Sequence, residues 1–297
     1  MIRQKTLRRS IKCVGVGLHT GERVKLSLHP ARRDSGISFV REDLRGASLR
    51  LSQARVVRAD HATTLAGPEF EVSTVEHLLA ALRIMGIDNA AIELSGREVP
   101  IMDGSAAPFI HLIREAGIRR QPVPRRYLVP RRSIEIQEDG RFIALHPSDR
   151  LRVSYTIDFP GTAVGRQTYT RTLHRQVFVD EIAPARTFCF LSDVDELRSR
   201  GLALGGTLEN AVVVGEDGPM NRLRFDDEFV RHKVLDLVGD LALLGLPLLG
   251  EIVVHKGGHS LHARLVQELR KDGVLDKMVL SSGRSLGHRP ALAAASI

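Results

Sequence analysis

"RRQPVPRRYLVPRR", residues 119–132, decides how the chain is divided. Prolines remove backbone donors and arginines hold the segment in water, so it reads as an exposed linker with a domain boundary near residue 124. On each side, segments with a period of two come first: "RVKLSLHP" and "AAIELSG" before it, "SIEIQED" and "LRVSYTIDF" after it. That alternation predicts half-buried strands. Helical periodicity follows in "TVEHLLAALRIMGI" and "APFIHLIREAGI", then in "DEFVRHKVLDLVGDLALLG" and "LHARLVQELRK". Strands and helices mixed in both halves predict an α+β architecture rather than a long βα alternation. The division is then 1–124, 125–280 and a tail, 281–297, without a core-forming pattern. A weak internal echo pairs "EHLLAALRIMGI" (76–87) with "RHKVLDLVGDLALLG" (231–245), which suggests a duplication with His77 and His232 in equivalent places.

Hydrophobic residues at 43% and charged residues at 26% are ordinary for a globular chain of 297 residues. The formal charge of +8 suits an anionic partner. Aromatics at 4%, with no Trp, leave little for single-strand nucleic-acid stacking. Two cysteines, Cys13 and Cys189, make no metal or redox spacing and suit a reducing compartment. The basic N-terminus lacks the apolar stretch of a secretory signal. "LALLGLPLLGEIVV" is too short and too interrupted to span a bilayer. A soluble cytoplasmic protein is expected.

Within "RHKVLDLVGD", His232, Asp236 and Asp240 recur every four residues and drift over only about 80° of a helical wheel. They are either a solvated stripe or, since i and i+4 side chains reach one ion, part of a metal site. "STVEHLLAAL" (73–82) offers Ser73 or Thr74 as a helix N-cap, then Glu76 and His77 on a helix apolar nearly all round. A carboxylate buried there needs a partner. The pair is a capping Glu beside a core His, or a general base beside a metal ligand. "HKGGHS" (255–260) links a strand to a helix and could set His259 at a site mouth. "IMDGSAAPF" (101–109) is foremost a turn and helix start, with Ser105 as cap and Pro108 early in the helix. "GVGLHTG" (15–21) is a Gly-rich turn in which His19 is a weak functional candidate.

Taken together, "GVGLHTG", "STVEHLLAAL", "IMDGSAAPF", "ARTFCF", "RFDDEFVRHKVLDLVGDL" and "KGGHS" resemble, in family order, the zinc-dependent UDP-3-O-acyl-N-acetylglucosamine deacetylases of lipid A biosynthesis. The resemblance covers roughly residues 1–270. It implies that His77, His232 and Asp236 bind Zn²⁺ (Fe²⁺ could also occupy a His₂Asp site) and leave a fourth position open. It implies Glu76 as general base, His259 as the acid that meets the oxyanion or the leaving amine, and Asp240 as the group holding His259. It implies Thr187 as an oxyanion donor, and Lys233, Lys256 and Phe159 as contacts to the diphosphate and uracil. The segment 188–214 resembles the insert that shelters the acyl chain. The fold implied is two similar α+β domains, each a sheet with helices, the helical layers sandwiched between the sheets.

The substrate expected is an acylated UDP-sugar and the products are acetate and a free amine. The protein is expected to act as a monomer in the cytoplasm of a Gram-negative bacterium. Two departures stand out: Cys189 occupies a usual Gly position, and Ala62 a position where some members carry Cys. The alternatives are a zinc amidase for another acetylated nucleotide-sugar, and a basic nucleic-acid-binding protein on the same fold.

Overall fold

A computed structural model describes residues 1–280; the tail assigned to 281–297 lies outside the described residues. The first half builds a sheet from β1 (Ile11–Val16), β2 (Arg23–Pro30), β3 (Ile37–Arg41), β4 (Ala47–Arg50) and β5 (Ala90–Leu94). The second builds one from β6 (Ile134–Glu138), β7 (Arg141–His146), β8 (Leu151–Phe159), β9 (Gly165–Thr172) and β10 (Gly250–His255). The strand orders are β1-β2-β5-β3-β4 and β6-β7-β10-β8-β9, the same path twice. In each sheet one pair is parallel, β3 with β5 (Phe39 opposite Ile92) and β8 with β10 (Tyr155 opposite Val254), and the others are antiparallel. Alternation fixes which face is buried: Ala90, Ile92 and Leu94 on β5, Val153, Tyr155 and Ile157 on β8.

Five helices matter to the site: α1 (Glu76–Met85), α2 (Ala107–Ala116), α3 (Leu191–Ser199), α4 (Glu228–Leu241) and α5 (His259–Leu269). In chain order α1 leads into β5 and α2 leaves it, just as α4 leads into β10 and α5 leaves it. The duplication suggested by the sequence echo is therefore written into the topology, and His77 and His232 ride on equivalent helices. α2 packs on β1, α4 on β8 and β9, and α5 on β6 and β7. α1 lies against α4, so the helices fill the space between the sheets and their apolar faces merge in one core.

That helix contact depends on Gly239. A Cβ there would stand 2.1 Å from the Glu76 carbonyl oxygen, closer than any side chain tolerates. The two helices thus touch backbone to backbone at Glu76, the first residue of α1.

Residues 119–132 are not an exposed linker. Ile118–Pro124 pairs with Arg3–Leu7, and Arg126–Pro130 pairs with Leu275–Val279, each as a two-stranded ribbon. Proline is tolerated because such ribbons have an unpaired edge, and the register slips between the Arg3–Pro124 and Lys5–Arg120 pairs, where Pro122 lies. The N-cap expected of Ser73 or Thr74 is also absent. Val75 holds the cap position without a side-chain bond, while Thr74, at φ 57°, donates its hydroxyl to Glu98. Glu98 is fully buried and also accepts from the His19 and Thr20 amides, fastening the "GVGLHTG" turn to the strand before α1.

Candidate metal centre and its acid–base partners

α1 and α4 cross with their polar residues turned toward each other. His232, Asp236 and Asp240 are 1%, 1% and 2% exposed, so the stripe is not a solvated face. It points at α1, where Glu76 and His77 are buried as well. His77 Nε2 lies 3.5 Å from Asp236 Oδ1, and His232 Nε2 lies 3.3 Å from the same oxygen. The three ligand atoms all fall within 4.8 Å of one another, and the two imidazoles meet edge to face. Asp236 Oδ1 is buried without a hydrogen-bond partner, which an anion deep in a protein does not tolerate unless a cation takes that place. His232 Nδ1 faces the Ala185 carbonyl at 3.1 Å; donating there leaves Nε2 with a free lone pair toward the cluster. Burial first, with Lys233 and His77 adding to it, brings His232 down to about 3, a neutral imidazole suited to coordination. For Asp236, burial acts to raise the pKa, but His232, Lys233 and His259 outweigh it and the group stays anionic. Two imidazoles and one carboxylate with an open side match the donor set of a catalytic divalent metal site.

A second layer of acid–base groups adjoins this cluster. Glu76 Oε2 accepts from the Thr63 amide at 3.2 Å, while Oε1 stands 3.9 Å from His259 Nε2. Burial pushes the Glu76 carboxyl up. His259 Nδ1 bonds Asp240 Oδ2 at 2.8 Å, and its Nε2 lies 3.7 Å from Asp236 Oδ2. Burial lowers the His259 pKa, but Asp240 and Asp236 override it and raise it to about 9. Burial likewise opposes ionisation of Asp240, yet His259 and His262 hold it at about 2.

Three residues that sequence reasoning did not single out complete this layer. The Thr63 hydroxyl donates to Asp240 Oδ1, His262 Nδ1 bonds Asp240 Oδ2 at 2.8 Å, and Tyr155 OH meets His262 Nε2 at 3.1 Å. His262 lies three residues past His259 and so one turn along α5, a spacing visible in "HSLH". Nothing local marks Thr63 or Tyr155.

Thr187 lines the same cleft as Glu76, His77 and Lys233. The segment that leads to it is locked to α4, since Arg186 makes a buried pair with Glu228 at 2.9 Å and Ala185 holds His232. The Thr187 hydroxyl has no protein partner among the described residues. Lys233 Nζ is 3.0 Å from Asp236 Oδ2 and sits over the Phe188 ring. Lys256 pairs with Asp158 at 3.0 Å, and neighbouring Phe159 packs edge-on to Phe188 and Phe190. Neither lines the cleft; Phe159 adjoins it through Phe188. His19 accepts weakly from the Ala203 amide at 3.4 Å, against the insert. Within 188–214, Phe188–Phe190 and Val212–Val214 pair in parallel and α3 connects them. Cys189 lies in register with Val213 at an ordinary φ, so its backbone does not require Gly. Ala62 is buried beside the cleft. No helix among the described residues is long and apolar enough to cross a membrane.

The sequence profile of one family, the UDP-3-O-acyl N-acetylglycosamine deacetylases, matches residues 4–271. Curated relatives carry the same activity in their names. The UDP-3-O-acyl-N-acetylglucosamine deacetylase of Anaeromyxobacter sp. (strain Fw109-5) is 47% identical over 91% of this chain and 89% of its own length. That of Oleidesulfovibrio alaskensis is 48% identical over 87% and 86%, and that of Helicobacter hepaticus 44% over 91% of each.

Proposed function

The chain belongs to the UDP-3-O-acyl-N-acetylglucosamine deacetylase family, and on that premise we propose that the buried His77–His232–Asp236 cluster is its metal site, with Glu76 and His259 as the working acid–base pair. The enzyme hydrolyses the N-acetyl amide of UDP-3-O-acyl-N-acetylglucosamine, the deacetylation step of lipid A biosynthesis. The observation that carries the site assignment is the unpartnered Asp236 oxygen facing two imidazoles at 3.3 and 3.5 Å.

We assign Zn²⁺ as the ion, held by His77, His232 and Asp236. When bound, it supplies Lewis-acid polarisation of the acetamide carbonyl and a lowered pKa for water in the site. The remaining work falls to this chain's own groups. Glu76, oriented by the Thr63 amide, takes a proton from the attacking water, and its raised pKa makes it the stronger base for that purpose. The hydroxyl adds to the carbonyl carbon, and negative charge collects on the carbonyl oxygen. Thr187 Oγ1 is free to donate to that oxygen. His259, kept cationic by Asp240, offers its Nε2 proton to the departing nitrogen as the C–N bond breaks. Acetate and the 2-amino sugar leave.

Lys233, Lys256 and Phe159 are the proposed contacts to the UDP moiety, the lysines to the diphosphate and Phe159 to uracil. The insert is the proposed shelter for the acyl chain: Leu191, Leu204 and Leu208 lie on it and are about half exposed, which invites an apolar ligand. The reading is tested by metal content and acetate release measured together on His77→Ala, His232→Ala and Glu76→Gln. The two His variants lose both; Glu76→Gln keeps the metal and loses the rate.

A further inference from the structure

The far ends of α1 and α4 open onto a second cleft of about 420 Å³, the scale of a small-ligand pocket. Both helices serve both places. α1 begins with Glu76 and His77 and ends at Arg83 and Gly86; α4 carries His232 and Asp236, then Val238 and Leu241 at the cleft. At 1.5 Å per residue, Arg83 is roughly 10 Å along α1 from Glu76.

Lys5, Arg83, Arg125 and Arg175 line this cleft, and Asp88 is the one carboxylate that bonds any of their side chains among the described residues. Arg83 donates to the Ala242 carbonyl at 3.1 Å and Arg175 to the Met85 carbonyl, so both cap helix ends and need no further explanation. The other two are different. Lys5 Nζ has neither a hydrogen bond nor an ion pair among the described residues. Arg125 spends Nε on Asp88 at 2.8 Å, while its Nη2 is buried without a partner. Both converge on one spot: a methyl group on Gly86 (φ 77°) would stand 3.5 Å from Arg125 Nη1 and 3.6 Å from Lys5 Nζ. Burial and the Arg175 and Arg125 charges push Lys5 down, and burial and Arg125 bring Arg83 to about 10. Four cations against one carboxylate leave the cleft with an excess of positive charge, and beyond the two capping arginines the donors left over are Lys5 Nζ and Arg125 Nη2. Ile2, Tyr127, Leu248 and Leu249 add apolar lining, and the Arg125 guanidinium lies 5.4 Å from the Tyr127 ring centre.

We propose that this cleft binds a phosphorylated amphiphile: a phosphate monoester on Lys5 and Arg125, its apolar portion against Tyr127, Leu248 and Leu249. A phosphate monoester brings a charge of about −2 and three acceptor oxygens, enough for donors arriving from different strands.

Calorimetric titration of the full chain with octyl phosphate tests this, with inorganic phosphate and octanol as head-only and tail-only probes. The expected result is one site in the wild type, about tenfold weaker in Lys5→Met and unchanged in Lys233→Ala, which marks the catalytic cleft. Each single-feature probe binds at least about tenfold more weakly than octyl phosphate. Melting temperatures taken alongside show whether Lys5→Met is folded; at one octyl phosphate concentration the rise in Tm is equal in the wild type and Lys233→Ala and smaller in Lys5→Met. Cosedimentation with phosphatidylcholine vesicles containing phosphatidic acid assigns the source. Lys5-dependent capture identifies a lipid headgroup, and octyl phosphate binding without capture identifies a soluble phosphoester. The proposal is overturned by no binding, by loss in Lys233→Ala rather than Lys5→Met, or by inorganic phosphate binding as tightly as octyl phosphate.

Discussion

Burial acts on Glu76 and His259 in opposite senses, and the neighbours decide the outcome for each. At Glu76 desolvation outweighs the opposing charges of His259 and His77, and its pKa rises. His259 is bonded to Asp240, and that carboxylate overturns desolvation. That contrast suits the proposed roles of the pair as base and acid at one pH. Replacing Glu76 with Gln keeps the shape and removes the base; kcat is expected to fall by about 10²–10⁴ with metal stoichiometry unchanged, read by acetate release and elemental analysis. Asp240→Asn removes the charge that lifts His259. The basic limb of kcat/KM against pH, where His259 loses its proton, is therefore expected to move to lower pH, with a lower maximum. An unmoved limb would show that His259 is not the proton donor. Thr63 and Tyr155, which hold these groups, were invisible in the sequence because their importance comes from partners far along the chain: Thr63 and Asp240 are 177 residues apart.

The helices, more than the loops, bring the site together. α1 supplies Glu76 and His77, α4 supplies His232, Asp236 and Asp240, and α5 supplies His259 and His262. Their close approach passes through Gly239, so Gly239→Ala must push α1 off α4. A loss of about 1–3 kcal/mol or more is expected in chemical denaturation, with weakened metal retention, although position 239 touches no ligand. The polar stripe of α4 was legible as a pattern, but amphipathicity alone assigns such a stripe to water. Only the buried Glu–His pair on a second helix gave reason to turn it inward. On the insert, Leu204→Ser is expected to raise KM for a long-acyl substrate several-fold while leaving a short-acyl analogue unaffected. Equal effects on both would place the acyl chain elsewhere.

At the scale of the whole chain, the twice-repeated strand order makes one cleft from two equivalent helices, one from each sheet's half. Periodicity read "RVKLSLHP" and "LRVSYTIDF" to the residue, because strands with one buried face write that burial into alternation. It misread 119–132, where proline and arginine density masked two edge ribbons whose partners, Arg3–Leu7 and Leu275–Val279, are distant in sequence. Pairing between segments that far apart leaves no local trace. The cluster between α1 and α4 is proposed as a metal-dependent deacetylation site. The most direct test is acetate release from UDP-3-O-acyl-N-acetylglucosamine by enzyme stripped with a chelator, before and after one equivalent of Zn²⁺. The stripped enzyme is expected to be silent and to regain turnover after addition, with no restoration in His77→Ala. Turnover that survives stripping, or zinc bound in full without turnover, would contradict that proposal.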